Sequence, residues 1–538
     1  MNKFMKRTTI GSVMRGLCYG FAALLFAASC ANDNVTQDEK QNKDNIPAGA
    51  TVFTGTSLPE TTTRTAILNH TKGTGASVNW SSTDKIWVKD DAGTWQQSTT
   101  TIIPSAANPS YAQFALSGTY TGVSHDILYT NMAVTGTQPQ VEIKAAQTQS
   151  APNNFDHAGE SGDCGIATGS KSGNDYAFTL NHKASYLCFI PRTSNEYVKR
   201  SKLIKVEIMS DDEIAGTYNM AADGTLTLAS GGSKTITVTT GSGFAIDNTA
   251  DDMSKNATYA VVAPGTHTFR IRYWLRNTTD NPAGPIEGTV SKIVTLNCTA
   301  GSIHDITANL NPHDYDGDHY YMWDAQNQYW YGYEWTKHLS GNTGQPTVNY
   351  TSSPNYPQSN TDSRWHNEAF TYGVSTPATH TSCKDLPNVN ELSWYVMYGD
   401  SRWDADELWS AMGRLYKGGM WFKKKSVLQG EHHYDTEKSA DGTTDMRRIT
   451  YKIYNNTSSS INNSGLPSAA DAGKYFYLPA LSHYTSGQLS NIGRWGYYWS
   501  SSAHPSISDD AYYLFFESGH VMTYNYTRYL GLRVGGFE

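Results

Sequence analysis

Charge and cysteine are both scarce in this chain of 538 residues, and long apolar runs are almost absent. Only 17% of residues are charged and the formal net charge is −8, with no basic stripe of the kind that follows a phosphate backbone. Nucleic acid is therefore not an expected partner. Apart from one stretch near the start, no run approaches the ~18–20 apolar residues that a membrane-spanning helix needs. Setting aside Cys18 and Cys30, the thiols are Cys164, Cys188, Cys298 and Cys383, whereas a disulfide framework is much denser. Cys164 and Cys188 could pair, but a buried free thiol is the expected state of each. No Cys-x-x-Cys occurs, so zinc and redox sites have no sequence support. Also missing are a Gly-x-Ser-x-Gly elbow, a phosphate loop and a His-Glu-x-x-His zinc helix; Glu431-His432-His433 lacks the i, i+4 histidine pair. The expectation is a protein that is not an enzyme and holds no cofactor and no metal.

Aromatics and glycine are plentiful: 35 Tyr, 14 Trp and 46 Gly. Of these, 10 Trp and 25 Tyr fall after residue 313, in about the last two fifths of the chain. A single core stops growing near ~250–300 residues, so several domains are expected, and their compositions differ.

Residues 1–30 read as a secretory signal, with Lys3, Lys6 and Arg7 ahead of the mostly apolar Leu17 to Ala28. The signal ends in Phe26-Ala27-Ala28-Ser29-Cys30, which resembles the lipobox of bacterial lipoproteins. That resemblance implies acylation of Cys30, each buried methylene of the acyl chains adding ~0.8 kcal/mol of membrane affinity. Residues 31–50 are polar and read as a flexible tether.

From 51 to 312 the signal is β. Ile204, Val206 and Ile208 alternate with Lys205 and Glu207, and Phe269-Arg270-Ile271-Arg272-Tyr273 alternates with its arginines outward, as in an antiparallel sheet with one wet face. Two β-sandwiches fit better than one large barrel. The Gly/Ser/Asn-rich stretch 169–174 sets the boundary, giving domains 51–172 and 173–312.

Within this half, Thr62-Thr63-Arg64-Thr65, Trp80 with Asp84-Lys85-Ile86-Trp87-Val88, Phe178 to Ala184, and Tyr259-Ala260-Val261-Val262-Ala263-Pro264 follow the order of motifs in fimbrillin-like (Mfa-like) lipoproteins of Bacteroidales. The chain resembles that family over residues 51–312. The resemblance implies two transthyretin-like β-sandwich domains, location at the outer membrane surface, and partnership with other pilus subunits by strand exchange. It also implies that an arginine-specific protease cuts between Arg64 and Thr65, removing the first strand with its lipid. The alternative is an uncut Arg64 at a strand edge.

Residues 313–538 differ. Asn388-x-x-Glu391 is a capping-box pattern followed by Leu392, Tyr395 and Val396 at helical spacing. Asp404-x-x-Glu407 repeats it ahead of Leu408, Ala411, Met412 and Leu415, which predicts a second helix. Strands are expected at 475–478, 497–500, 512–516, 521–526 and 529–534, with Glu517-Ser518-Gly519-His520 as a hairpin turn. Tyr320 to Ala325, Cys383 to Trp394, Gly418 to Trp421, Tyr475 to Ala480 and Gly496 to Ser502, with the ending Arg528 to Val534, resemble the Fibrobacter succinogenes major paralogous domain. That resemblance implies an α+β, C-type-lectin-like fold. Trp394, Trp409, Tyr477, Leu514 and Phe516 are assigned to the core. Trp495, Tyr497, His504, Asp509, His520, Tyr524, Tyr526 and Tyr529 are the ligand-binding candidates, because aromatic faces with a polar tip stack on sugar rings and anchor protein partners. Asp314-Tyr315-Asp316-Gly317-Asp318 alternates carboxylates as a hard-cation loop does, but Ala325 stands where a bidentate Glu is needed, and a solvated turn is expected. The whole is read as the accessory or tip subunit of a pilus, adhering to a host or bacterial glycan or protein ligand through its last domain. The alternative is a monomeric, lipid-anchored surface glycan-binding protein.

Overall fold

A computed structural model describes residues 46–56, 66–68, 70–74, 76–279, 285–333, 354–448 and 452–538, all within one unit, Ile46–Glu538. Cys30 and the Arg64–Thr65 bond lie outside the described residues. The fold is mainly β, in several sheets.

Strands Trp95–Gln97, Trp87–Lys89, Ser124–Tyr129, Gly165–Ser172, Asp175–Thr179, Thr51–Thr56, Ala112–Leu116 and Thr100–Ile102 form the first sheet in that order. Its two outermost strands are consecutive in sequence, joined by Ser98 and Thr99. The Ser98 N–H donates to Ile86 O at 2.9 Å and the Thr99 N–H to Ala115 O at 2.8 Å, so the sheet folds back on itself. Phe53, Trp80, Phe114, Tyr176 and Phe178 fill the interior, and Phe53 stacks on Tyr176 at 4.7 Å. Strand Thr51–Thr56 sits in the middle, parallel to Asp175–Thr179 and antiparallel to Ala112–Leu116.

The stretch expected to mark the boundary between the two sandwiches, 169–174, is instead the end of a hairpin in this sheet: Ser172 pairs with Asp175, and Gly173 takes the left-handed φ of 66° that the turn requires. The boundary is not a single crossing either. Strand Gln140–Ile143 pairs with Ala215–Met220 and Ala146–Thr148 with Thr235–Ala245, so the chain contributes to the second body before it returns to complete the first.

That second body centres on Ser185–Arg192, flanked by Thr258–Val262 and Ile303–Asn309. A larger sheet runs Ala146–Thr148, Thr235–Ala245, Lys202–Ser210, Gly265–Asn277, Ile286–Cys298. Leu187, Phe189, Val206, Ile208, Phe269, Ile271 and Tyr273 meet in one core. All four described cysteines are free and buried.

The larger sheet continues into the aromatic-rich region: Thr289 pairs with Glu407, and strands Arg402–Ala411, Arg414–Lys423 and Tyr475–Pro479 follow. The second predicted helix is thus a β-hairpin, with Met412 and Gly413 at its turn (φ 50° and 73°). Asp404 does accept the Glu407 N–H as a capping residue would, at 3.2 Å, but at an irregularity in strand pairing rather than at a helix start. Arg270 and Arg272 likewise depart from expectation. They are 2% and 7% exposed, because this hairpin covers the face expected to be wet.

Helix Val389–Tyr398 forms as predicted, with a complete Asn388/Glu391 capping box. Its Leu392 and Val396 join Tyr498, Leu514, Phe516 and Val521 in one core. These belong to an eight-stranded sheet that contains His520–Thr527, Asp510–Glu517, Gly496–Ala503, Gly531–Arg533 and His483–Thr485. Trp394, Trp409, Leu514 and Phe516 are buried as assigned, and Tyr477 is half-buried.

Candidate ligand-binding face

The helix covers one face of this sheet, and strand alternation sends the other side chains to the opposite face. Register arranges them in rows. Tyr497 lies across from Phe515, and Phe515 from Met522; Trp499 lies across from Tyr513, and Tyr513 from Tyr524. Glu517 pairs with His520 beyond one end and Ala511 with Tyr526 at the other. The Trp495 indole N–H reaches across to Glu517 Oε2 at 3.0 Å. The rings are contiguous: Tyr497 lies 4.2 Å from His483, 5.0 Å from Phe515 and 5.5 Å from Tyr513, and Phe515 lies 5.5 Å from His520.

Trp499 and Tyr513 are buried, while Trp495, Tyr497, Phe515, His520, Met522 and Tyr524 are half-buried and Tyr526 is 49% exposed. Burial pushes the Tyr497 phenol up to about 12 and the His483 imidazole down to about 4, so both stay neutral near pH 7. His483 Nδ1 and His520 Nε2 have no hydrogen-bond partner among the described residues. The face is therefore a broad aromatic surface edged by the Glu517 side chain. It suits stacking on a sugar ring or a flat side chain, with the Tyr524 and Tyr526 phenols as hydrogen-bonding tips.

Five of the eight candidates thus come together: Trp495, Tyr497, His520, Tyr524 and Tyr526. Three do not. His504 is 1% exposed, and its Nδ1 accepts the backbone N–H groups of Ser506 and Ile507 at 3.1 Å, so it organises its own turn. Asp509 is exposed, with Oδ1 accepting from Ser508 Oγ, and Tyr529 is 41% exposed in the loop after His520–Thr527. Between them, buried Arg528 donates to the carbonyls of Asp510, Asn367 and Ala369, and burial lowers it to about 10. Phe515, Met522 and His483 complete the face and were not among the candidates. Alternation along 510–517 and the two-residue Ser518–Gly519 turn would have placed the first two.

The acidic stretch 314–318 begins in the short strand His313–Asp314, which pairs with Trp409–Ser410, and bends at Gly317. Asp316 Oδ1 accepts the Asp318 N–H at 2.8 Å, and Asp314 Oδ1 accepts from Ser410 Oγ at 3.1 Å.

No known protein family matches the chain, and no curated protein matches it. Among solved structures, one from Bacteroides ovatus described as a candidate cell adhesion protein shares 11% identity, covers 48% of this chain and 92% of its own, and has a TM-score of 0.29. The fimbrial anchor protein Mfa2 of Porphyromonas gingivalis shares 9% identity over 48% of this chain and 90% of its own, with a TM-score of 0.23. The fimbrilin FimA of the same organism shares 10% over 47% and 91%, also with a TM-score of 0.23.

Proposed function

We propose that this is a non-enzymatic surface protein of fimbrillin type, anchored through Cys30 in the outer membrane, whose C-terminal region binds a glycan or protein ligand on the aromatic face. The observation that carries the binding reading is the contiguous, partly open aromatic surface of Tyr497, Phe515, His520, Met522, Tyr524 and Tyr526. Assembly into a pilus is supported by the position of strand Thr51–Thr56. It precedes Arg64 and sits between two other strands of the first sheet, so its removal by a cut after Arg64 would uncover two strand edges for a neighbour's strand. On this reading the two N-terminal bodies are the transthyretin-like domains, the last region is the lectin-like one, and the subunit is a tip or accessory component. The second reading is a monomeric, lipid-anchored surface glycan-binding protein that does not polymerise.

A glycan and matrix-protein array probed with the whole protein tests binding. Tyr524→Ala/Tyr526→Ala should weaken any hit about tenfold, each stacked ring supplying ~0.5–1.5 kcal/mol; an unchanged hit overturns the assignment of the face. For assembly, incubation with an arginine-specific protease should release a fragment beginning at Thr65, and the protein should appear at low stoichiometry in sheared pili. Full resistance overturns the cut after Arg64, and exclusive recovery with membranes would favour the monomeric reading.

A further inference from the structure

One cluster outside the aromatic face has the donor chemistry of a metal centre. His70, Cys188 and Asp305 come from three distant parts of the chain: the loop 70–74, the central strand Ser185–Arg192 and the strand Ile303–Asn309. The two strands run parallel with Cys188 opposite Asp305, so their side chains leave the sheet on the same side. His70 closes over them, its Nε2 2.8 Å from Asp305 Oδ1. One ligand atom from each of the three lies within 4.8 Å of the other two. The second Asp305 oxygen is steered by the Gly73 N–H at 2.7 Å, and the His70 ring meets the edge of Tyr259 at 6.0 Å. His70 and Cys188 are buried and Asp305 is half-buried.

We propose that His70, Cys188 and Asp305 bind one zinc-class divalent ion, which clasps the loop 70–74 onto the second body. A thiolate, an imidazole and a carboxylate form a borderline set that suits zinc or cobalt, whereas calcium and magnesium take oxygen ligands alone. Bond lengths of ~2.0–2.3 Å place tetrahedral ligand atoms roughly 3.3–3.7 Å apart, and the three ligand atoms here lie within 4.8 Å of one another, close to the spacing a common ion needs. Binding releases the Cys188 thiol proton to solvent and leaves the thiolate on the metal. Three protein ligands leave a fourth position for water, on the side where Asp305 is partly exposed.

Cobalt titration of the chelator-stripped protein tests the site. The expected result is one equivalent bound, with near-ultraviolet thiolate-to-cobalt charge-transfer absorption that zinc abolishes by competition. Cys188→Ser should eliminate that absorption, His70→Ala and Asp305→Asn should each weaken binding at least tenfold, and Cys298→Ser should leave it intact. Absence of the charge-transfer band in the wild-type protein overturns the proposal whatever the variants do, as does a band that survives Cys188→Ser. In that case the three residues are a hydrogen-bonded cluster only.

Discussion

Arg272 and Asp404 meet at 2.9 Å across the junction between the second body and the aromatic region, their side chains 8% and 1% exposed. The same guanidinium donates to Thr289 Oγ1, and the Trp421 indole donates to the other Asp404 oxygen at 3.2 Å. Arg272→Ala strands a carboxylate without its cation, at a cost of about 3–5 kcal/mol, whereas replacing both partners by apolar residues should cost far less. Urea unfolding of the single and double variants checks this, and an equal loss in both would show that packing outweighs charge here. Histidine sets a pH dependence of definite sign. Burial holds both His157 and His483 near 4, below the usual 6.5, so the unfolded chain takes up protons that the folded chain refuses. The stability they contribute is present above pH 6.5 and is lost as pH falls toward 4. Tm should therefore drop between pH 7 and 5, and His483→Phe should make that drop shallower. Glu407 acts oppositely: burial, then the neighbouring Asp404, push its carboxyl up, so its contribution is present below the usual 4.5 and fades as pH rises through its raised value.

Single elements explain why some patterns in the sequence read true and others misled. Asn388-x-x-Glu391 and Asp404-x-x-Glu407 carry the same local signal, and in both the first side chain accepts the N–H three residues on. Only the first is followed by a stretch whose apolar face finds the sheet of Tyr498, Leu514 and Phe516. After Asp404, pairing with Arg414–Lys423 across the Met412–Gly413 turn wins. That turn is testable. Gly413→Val forces a β-branched residue into left-handed backbone at roughly 1–2 kcal/mol, read as a lower urea midpoint. Strand Thr51–Thr56 buries Phe53 fully in the first core; Phe53→Ala should cost about 3–5 kcal/mol and ease the loss of that strand, measured as faster proteolysis.

Across the whole molecule, the aromatic-rich region is not a bead on a string. Leu408 and Leu415 enter the core of the second body, Glu407 accepts from Ser291 N–H and Oγ at 3.0 and 2.6 Å, and the Arg270 guanidinium lies over Trp421 and donates to Pro467 O. A chain truncated after residue 312 would expose Arg270, Arg272 and their apolar surroundings. It should melt several degrees below the full protein and gain dye-binding surface; unchanged melting would argue for independent bodies. The sequence by itself determined the β character, the division in composition near residue 313, the capped helix and the strands at the end of the chain. These rest on short-range alternation and capping, which a few neighbouring residues decide. Only the tertiary structure decided which alternating face meets water, as at Arg270 and Arg272, and which candidates share a surface, as when Tyr497, Phe515 and Tyr524 gather while His504 turns inward. It also decided that residues 70, 188 and 305 converge, because register and crossings between distant strands are set by the burial they achieve together and leave no mark within any one segment.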